Sequence, residues 1–191
     1  RLGIPVLWMI TEVMRAGPFA PYAVSVIHRY STWIGGISEA TLSIFLSSGL
    51  GAKTLMLEPS WHPEQFRPQS WSDHRKQLRA AYGIGPKVTL IGYIVSDITP
   101  HKGFDHFVEM AVRLCPSHPQ AHFLIIGQPT DRTYYDRTVQ IVHESGYASR
   151  FILIPYQQSI ESVYPAMDLL IVPSLIPEGF GLTAMEGMVF G

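Results

Sequence analysis

Two glutamates near the end of the chain flank a turn that contains two glycines. They belong to the run Glu178-Gly-Phe-Gly-Leu-Thr-Ala-Met-Glu186, which follows the apolar residues Leu169 to Val172. This order predicts a buried strand, then a turn rich in backbone N–H groups, then a helix that begins near Gly181 or Leu182. Glu186 would lie about four residues into that helix, roughly 6 Å along its axis.

The start of the predicted helix offers a binding site for an anion. The N–H groups of Phe180 to Thr183 have no partner within the helix, and the helix dipole favours negative charge there. A carboxylate only accepts hydrogen bonds, so beside a phosphate it needs hydroxyl donors. A ribose diol on one side of a diphosphate would suit Glu186, and a sugar on the other side would suit Glu178. The structural alternative is a solvated loop acid at Glu178 and a first-turn acid at Glu186.

A lysine stands at a similar place earlier in the chain. Lys102 ends the loop that follows the apolar run Lys87 to Val95, and it directly precedes a helix predicted to start at Gly103. An ammonium there would act as a compact point charge on a phosphate at the same edge of a sheet. A plain surface lysine is the alternative. Together with the Glu178 turn, the pattern favours the phosphate site.

Strands and helices alternate regularly in the second part of the chain. The predicted strands are 87–95, 121–126, 150–154 and 168–172, and the predicted helices are 103–115, 131–145, 159–166 and 182 onward. Nearly continuous apolar strands of this kind indicate an α/β fold with a parallel sheet and helices on both faces. Ligands of such sheets bind beyond the carboxyl ends of the strands, where the Asp97–Lys102 loop and the Glu178 turn both lie.

The earlier part of the chain is less regular. Its predicted elements are a buried strand at Ile4 to Ile10, a strand at Trp33 to Ile37, a helix over Glu39 to Ser48 with Ser38 as N-cap, a short strand at Lys53 to Leu57, and a polar helix from Asp73 to Tyr82. Turn residues between Glu58 and Ser72 predict a linker. Its aromatic residues Trp61, Phe66 and Trp71 would anchor that linker or, alternatively, stack on a sugar.

Composition excludes several classes of protein. The 191 residues are 47% hydrophobic and 15% charged with a formal charge of −1, so neither disorder nor a nucleic-acid partner is expected. No apolar run reaches the length of about 18 residues that a membrane span needs. The single Cys115 excludes an internal disulfide framework and fits a reducing compartment. The eight histidines show no paired ligand spacing, so no metal site is predicted.

Three segments resemble the retaining glycosyltransferases of family 4, which have the GT-B fold. They are Ser96-Asp97-Ile98-Thr99-Pro100-His101-Lys102-Gly103-Phe104, then Phe123 to Gly127, and then Val172 to Ser174 with Pro177 to Glu186. The Lys-Gly loop followed at a distance by Glu-x7-Glu is a specific combination. The resemblance runs from about Trp33 to the end and is strongest over 87–191.

The resemblance implies a function and a role for each candidate residue. Family members bind a nucleotide-sugar between two Rossmann-like domains and transfer the sugar with retention, without a bound metal. Catalysis would fall to Glu178, which would contact the transferred sugar, and to Lys102 on the donor diphosphate. The other donor-binding residues would be Phe180, Gly181, Leu182 and Thr183 at the phosphates, Glu186 at the ribose, and Ile154 and Tyr156 beside the base. We expect a UDP- or GDP-linked donor and no cofactor.

The resemblance also implies a domain organisation that is incomplete at both ends. Residues 1–38 would be a remnant of the N-terminal domain, 39–84 the interdomain crossing and linker, and 85–191 a truncated C-terminal domain. We expect such a fragment to be inactive alone. The acceptor of the whole enzyme would be a carbohydrate or a lipid-linked molecule. Its location would be cytoplasmic, with peripheral contact at the inner membrane surface allowed.

Three departures from the family pattern keep other functions open. Gly92 is followed by Tyr93 where the family often has arginine, and Thr11, next to Glu12, stands where a histidine often closes the strand. The usual Asn-Gly at the interdomain crossing is absent, with Pro59-Ser60-Trp61-His62 in its region. The alternative to the transferase is a non-catalytic module that binds a nucleotide-sugar or a protein. An epimerase of the same architecture is a third possibility.

Overall fold

The computed structural model describes residues 3–60 and 66–191, so Trp61, His62 and Pro63 of the predicted linker lie outside the described residues. Contacts divide these residues into two compact units. The first contains the chain up to residue 60 together with Pro177–Gly181, and the second contains residue 66 to Ile176 together with Leu182–Gly191. The domain roles inferred from the sequence for 1–38, 39–84 and 85–191 stay predictions.

The first unit is a parallel sheet of three strands with helices between them. Its elements are strand β1 (Leu7–Ile10), helix α1 (Ala20–Tyr30), strand β2 (Trp33–Gly36), helix α2 (Glu39–Ser47) and strand β3 (Thr54–Met56), in the sheet order β1-β2-β3. The predicted N-cap is confirmed, because the Ser38 hydroxyl accepts a hydrogen bond from the Thr41 N–H at 3.2 Å. Buried residues from both helices and two strands form the core: Ile10, Val24, Ile27, Ile34, Leu42 and Phe45.

Strand β1 is shorter and more exposed than the predicted buried strand at Ile4 to Ile10. Of its four residues only Ile10 is buried. The reason is visible at two neighbouring glycines. A Cβ on Gly36 would meet Leu42 of α2, whereas a Cβ on Gly35 would meet Leu7 and Met9. Successive strand residues face opposite sides of a sheet, so Leu7 and Met9 lie on the face that α2 does not cover.

The second unit is a parallel sheet of four strands with helices on both faces, which confirms the predicted α/β fold. Its elements are helix α3 (Pro68–Ala81), strand β4 (Thr89–Ile98), helix α4 (Phe104–Leu114), strand β5 (Ala121–Pro129), helix α5 (Arg132–Glu144), strand β6 (Phe151–Ile154), strand β7 (Leu169–Leu170) and helix α6 (Leu182–Phe190). The strand order is β6-β5-β4-β7. Alternate residues of β5 belong to different cores, since Phe123 packs with Phe107 and Leu124 packs with Tyr164.

Several predicted bounds in this unit are wrong. Strand β4 runs to Ile98 and not to Val95, because a register shift between Ile94 and Asp97 lets pairing with β5 resume. Helix α3 begins at Pro68 and not at Asp73, since proline suits the first turn of a helix. The predicted helix 159–166 is two short 3₁₀ turns, Ile160–Ser162 and Tyr164–Ala166. Pro165 lies in the second turn and lacks the N–H that an α-helix would need.

A network of charged groups attaches α3 to the start of β4 and β7. The buried Arg79 donates hydrogen bonds to the carbonyl of Ala166 at 2.9 Å and to the Asp168 carboxylate at 3.2 Å. Arg75 binds the other oxygen of the same carboxylate at 2.5 Å. The Leu90 N–H adds a third hydrogen bond at 2.7 Å. Burial alone would raise the pKa of Asp168, but these hydrogen bonds hold that pKa below its ordinary value.

Candidate functional site

The Lys102 loop is attached to the segment that follows β7. Lys102 is half-buried at the end of a 3₁₀ turn, Pro100–Lys102, which comes after β4. The N–H of Leu175 donates to the carbonyl of His101 at 2.9 Å. Since β4 and β7 are neighbouring parallel strands, both segments lie at the carboxyl edge of the same sheet. The Lys102 loop and the segment after β7 therefore share this edge within the second unit. The Glu178 turn, which was predicted at the same edge as the Lys102 loop, belongs to the first unit.

Gly103 makes this close approach possible. Its φ of 66° is in the left-handed region, and a Cβ at this position would lie 2.2 Å from the carbonyl oxygen of Pro173. Only glycine fits both conditions without moving the backbone. Immediately afterwards α4 begins, and its Phe104 and Phe107 are fully buried in the core. The position of the Lys102 backbone is thus fixed on both sides.

Helix α6 begins at the predicted residue. It starts at Leu182, so the N–H groups of Leu182 and Thr183 lie in its first turn, where they have no partner within the helix. Gly181, just before the helix, has a φ of 79°. A Cβ on Gly187 would lie 2.5 Å from the Leu170 side chain, so the helix packs directly against β7. Its first turn thereby belongs to the same unit as Lys102.

Glu186 receives a hydrogen bond from a residue that the sequence analysis does not single out. The hydroxyl of Tyr164 donates to the Glu186 Oε2 atom at 2.5 Å. Burial, together with the adjacent carboxylate, raises the pKa of Tyr164 above its ordinary value. The hydroxyl therefore keeps its proton at neutral pH and remains a donor. The sequence offers one indication of this contact. Glu186 and Phe190 are four residues apart and share one face of the predicted helix, and a buried aromatic residue can pack against that face.

The turn with Glu178 belongs to the first unit. A hydrogen bond joins the Ser38 hydroxyl, as donor, to the carbonyl of Gly179. A Cβ on Gly179 would lie 2.2 Å from the carbonyl oxygen of Thr11. Thr11 follows β1 and Ser38 follows β2, so the turn lies at the carboxyl edge of the first sheet. Phe180 and Gly181 belong to the same segment.

The predicted neighbours of the base differ from each other in exposure. Ile154 ends β6 and is buried in the core with Val163 and Tyr164. Its side chain also lines a surface cleft together with His74 and others. Tyr156, two residues later, is half exposed. Ile154 and Tyr156 both lie at the carboxyl end of β6, which is the sheet edge where the Lys102 loop lies.

Tyr93 does not lie at the carboxyl edge of the sheet. It lies in the middle of β4, fully buried, with its ring 5.6 Å and 5.3 Å from those of Phe104 and Phe107. A Cβ on Gly92 would meet the sulfur of Met167. The side chain at the position where the family often has arginine is thus part of the core of the second unit. Ser96 and Asp97 are the exposed residues near the strand end.

The aromatic residues near the start of α3 serve as anchors. Phe66 and Trp71 both pack against Phe190, with ring centroids 5.9 Å and 4.5 Å away. The indole N–H of Trp71 donates to Glu161 at 2.8 Å. The predicted anchoring role is thus confirmed for these two residues.

Two kinds of feature are absent from residues 3–60 and 66–191. No group of three or more His, Cys, Asp or Glu side chains there is placed to hold a metal ion. None of the helices in these ranges combines the length and the apolar character that crossing a bilayer requires.

Residues 74–191 match the model of the family described as glycosyl transferases group 1, and the chain belongs to this family. The lipopolysaccharide core biosynthesis mannosyltransferase LpsB of Rhizobium meliloti is 28% identical over 119 residues, which are 61% of this chain and 33% of the relative. The glycogen synthase of Paracoccus denitrificans is 27% identical over 133 residues, which are 69% of this chain and 27% of that protein.

A solved structure shows the same fold. Anabaena Alr3699/HepE, crystallised with UDP and glucose, matches with a TM-score of 0.80 at 19% identity. The match covers 97% of this chain and 51% of the Anabaena chain. The chain therefore has the α/β architecture of GT-B glycosyltransferases, and it spans a third or less of the two curated relatives.

Proposed function

We propose that this chain is the donor-binding part of a glycosyltransferase that uses a nucleotide-sugar. Membership of the glycosyl transferases group 1 family supports the reaction class. The observation that carries the proposal is the hydrogen bond between Leu175 and His101, which holds the Lys102 loop against the segment after β7. This bond supports a common sheet edge for Lys102 and the segment that leads to the N-terminus of α6, which is the arrangement that a diphosphate requires.

The proposed chemistry follows from the residues at this edge. The Lys102 ammonium and the N–H groups of Leu182 and Thr183 would bind the diphosphate and stabilise the charge that develops on it as it leaves. Glu186 would accept hydrogen bonds from the ribose diol. Ile154 and Tyr156 would border the base.

The finer parts of the function are proposed on the family resemblance. They are transfer with retention, membership of family 4, catalysis without a metal, and a contact of Glu178 with the transferred sugar. The roles of Phe180 and Gly181 at the phosphates have the same basis. A UDP-linked donor is supported by the UDP bound to Alr3699/HepE. A carbohydrate or lipid-linked acceptor agrees with the names of the two relatives.

A binding module without transfer activity is the second candidate. Thr11 favours it, since threonine cannot supply the imidazole that often closes this strand in the family. Such a module would keep the diphosphate site and lose the chemistry. Tyr93 favours it as well, because tyrosine cannot supply the positive charge of the arginine that often stands here in the family.

Calorimetric titration tests the proposed site. UDP, GDP and ADP are titrated into the 191-residue chain and into Lys102→Ala and Glu186→Ala variants. Loss of a charged hydrogen bond is expected to weaken the tightest of the three by about 10- to 150-fold in each variant. Lys76→Ala is the matched control, because Lys76 is exposed on α3 and pairs with Asp73. Unchanged affinity in both site variants would remove these residues from the proposed site.

A further inference from the structure

Tyr164 contacts α6 at two points that are one helical turn apart. Its ring stacks on Phe190 with centroids 5.3 Å apart and planes inclined by 17°. Its hydroxyl donates to the Glu186 Oε2 atom at 2.5 Å. Because Glu186 and Phe190 are four residues apart, they lie on the same face of the helix. One side chain therefore fixes both the helix and the carboxylate on it.

Tyr164 is itself held in place. Only 3% of its surface is exposed. The Arg75 guanidinium donates hydrogen bonds to the carbonyls of Pro165 and Ala166, at 2.9 Å and 3.1 Å, in the 3₁₀ turn that Tyr164 begins. Trp71 also packs against Phe190, with ring centroids 4.5 Å apart. The tyrosine ring is enclosed by backbone and aromatic neighbours, so its hydroxyl has a defined position.

The hydroxyl has one proton and one good acceptor for it. The carbonyl oxygen of Thr183 is 3.5 Å away, which is too long to compete with the carboxylate. The raised pKa of Tyr164 keeps that proton on the hydroxyl. Glu186 thus has one oxygen occupied in the absence of any ligand.

We infer that Tyr164 is a positioning residue for nucleotide binding: it occupies Oε2 of Glu186 and leaves Oε1 oriented to accept hydrogen bonds from the ribose diol. The inference rests on the proposed function. A glutamate side chain loses substantial rotamer freedom when it is fixed. Fixing it before the ligand arrives removes that loss from the binding step.

A purely structural role for Tyr164 makes a different prediction. A tyrosine that only stabilises the fold would affect ribonucleotides and deoxyribonucleotides equally. A tyrosine that orients the ribose ligand changes the ratio of their affinities. The affinity ratio is therefore the informative measurement, and the affinity alone is not.

The experiment measures this ratio by calorimetry on the 191-residue chain. The probe is whichever of UDP, GDP and ADP binds most tightly, compared with its 2′-deoxy and 3′-deoxy analogues. We expect the unchanged chain to prefer the ribonucleotide by about 10-fold or more over at least one analogue, because that analogue lacks a hydroxyl that donates to the charged Glu186 carboxylate. Tyr164→Phe keeps the ring and removes the hydroxyl, and it should reduce that preference at least 3-fold.

Two further variants complete the test. Tyr93→Phe is the matched control, because it removes a buried hydroxyl far from the strand end, and it should keep the original ratio. Phe190→Leu loosens the Tyr164 ring while the hydroxyl remains, and it should lower the ratio even if Tyr164→Phe does not fold.

The outcomes separate this inference from the proposed function. If Tyr164→Phe keeps the original ratio while Glu186→Gln loses it, the inference is overturned and Glu186 remains the ribose ligand. If Glu186→Gln also keeps the original ratio, Glu186 does not bind the ribose, and the proposed site fails together with the inference.

Discussion

The hydroxyl of Ser38 donates a hydrogen bond to the backbone carbonyl of Gly179, which is 141 residues later in the chain. The same hydroxyl accepts a hydrogen bond from the Thr41 N–H and so caps α2. The Ser38 side chain thus caps α2 and also binds the segment next to Glu178. Both roles are local to the first unit.

Ser38→Ala is therefore expected to lower the free energy of unfolding by about 1–3 kcal/mol, from the lost N-cap and the lost hydrogen bond. Urea denaturation measures the change. Ser43→Ala is the matched control, since the hydroxyl of Ser43 is exposed and bonds only within its own helix. Equal effects of the two substitutions would show that the bond to Gly179 contributes nothing.

Gly103→Ala should be far more destabilising than Gly83→Ala. Both glycines have a left-handed φ, 66° and 64°, so alanine is strained by about 1–2 kcal/mol at each. At Gly83 a Cβ meets nothing within 4 Å, whereas at Gly103 it would strike the Pro173 carbonyl at 2.2 Å. We expect urea denaturation to show a difference of at least about 2 kcal/mol between the variants. Similar losses would mean that the Lys102 loop and the segment after β7 are not in backbone contact.

Asp168→Asn should destabilise the second unit at neutral pH by about 1–3 kcal/mol, because it removes the charge that Arg75 and Arg79 bind. The folded-state pKa of Asp168 is below its ordinary value of 3.8. Its contribution is thus complete above the unfolded-state pKa and is lost as the pH falls through the lower folded-state pKa. Urea denaturation between pH 7 and pH 2 should show less loss of stability on acidification in the variant, and parallel pH profiles would contradict this account.

Tyr93→Phe should leave stability unchanged or raise it by about 1–2 kcal/mol. The hydroxyl of Tyr93 is buried and has no hydrogen-bond partner among the described residues. An unpaired buried hydroxyl is unfavourable, so its removal relieves that penalty while the ring contacts remain. Thermal unfolding measures the change. A clear loss of stability would reveal a partner for the hydroxyl.

Local signals in the sequence were sufficient to predict several elements that build the site. The Ser38 cap and the start of α6 at Leu182 were both predicted, because capping residues and glycine turns act over a few residues. The parallel sheet followed from the alternation of apolar strands with amphipathic helices. The topology alone predicted that the Asp97–Lys102 loop and the Glu178 turn lie at the carboxyl edge.

Other features depend on contacts that no short window contains. The bond between Tyr164 and Glu186 requires that a 3₁₀ turn before β7 packs on the helix after it. The exposure of Leu7 in β1 depends on which face of the sheet the helices cover. The end of β4 at Ile98 depends on a register shift between Ile94 and Asp97, after which pairing with β5 resumes. These features depend on tertiary contacts, and the local pattern of apolar and polar residues does not reveal them.

A crystal structure of the 191-residue chain with UDP, or with GDP or ADP if one of these binds more tightly, tests the proposed diphosphate site. We expect electron density for the diphosphate beside the Lys102 ammonium and the N–H groups of Leu182 and Thr183, with the ribose hydroxyls on Glu186. A nucleotide bound elsewhere, such as in the cleft beside His74, with Lys102 and Glu186 out of contact, would contradict it.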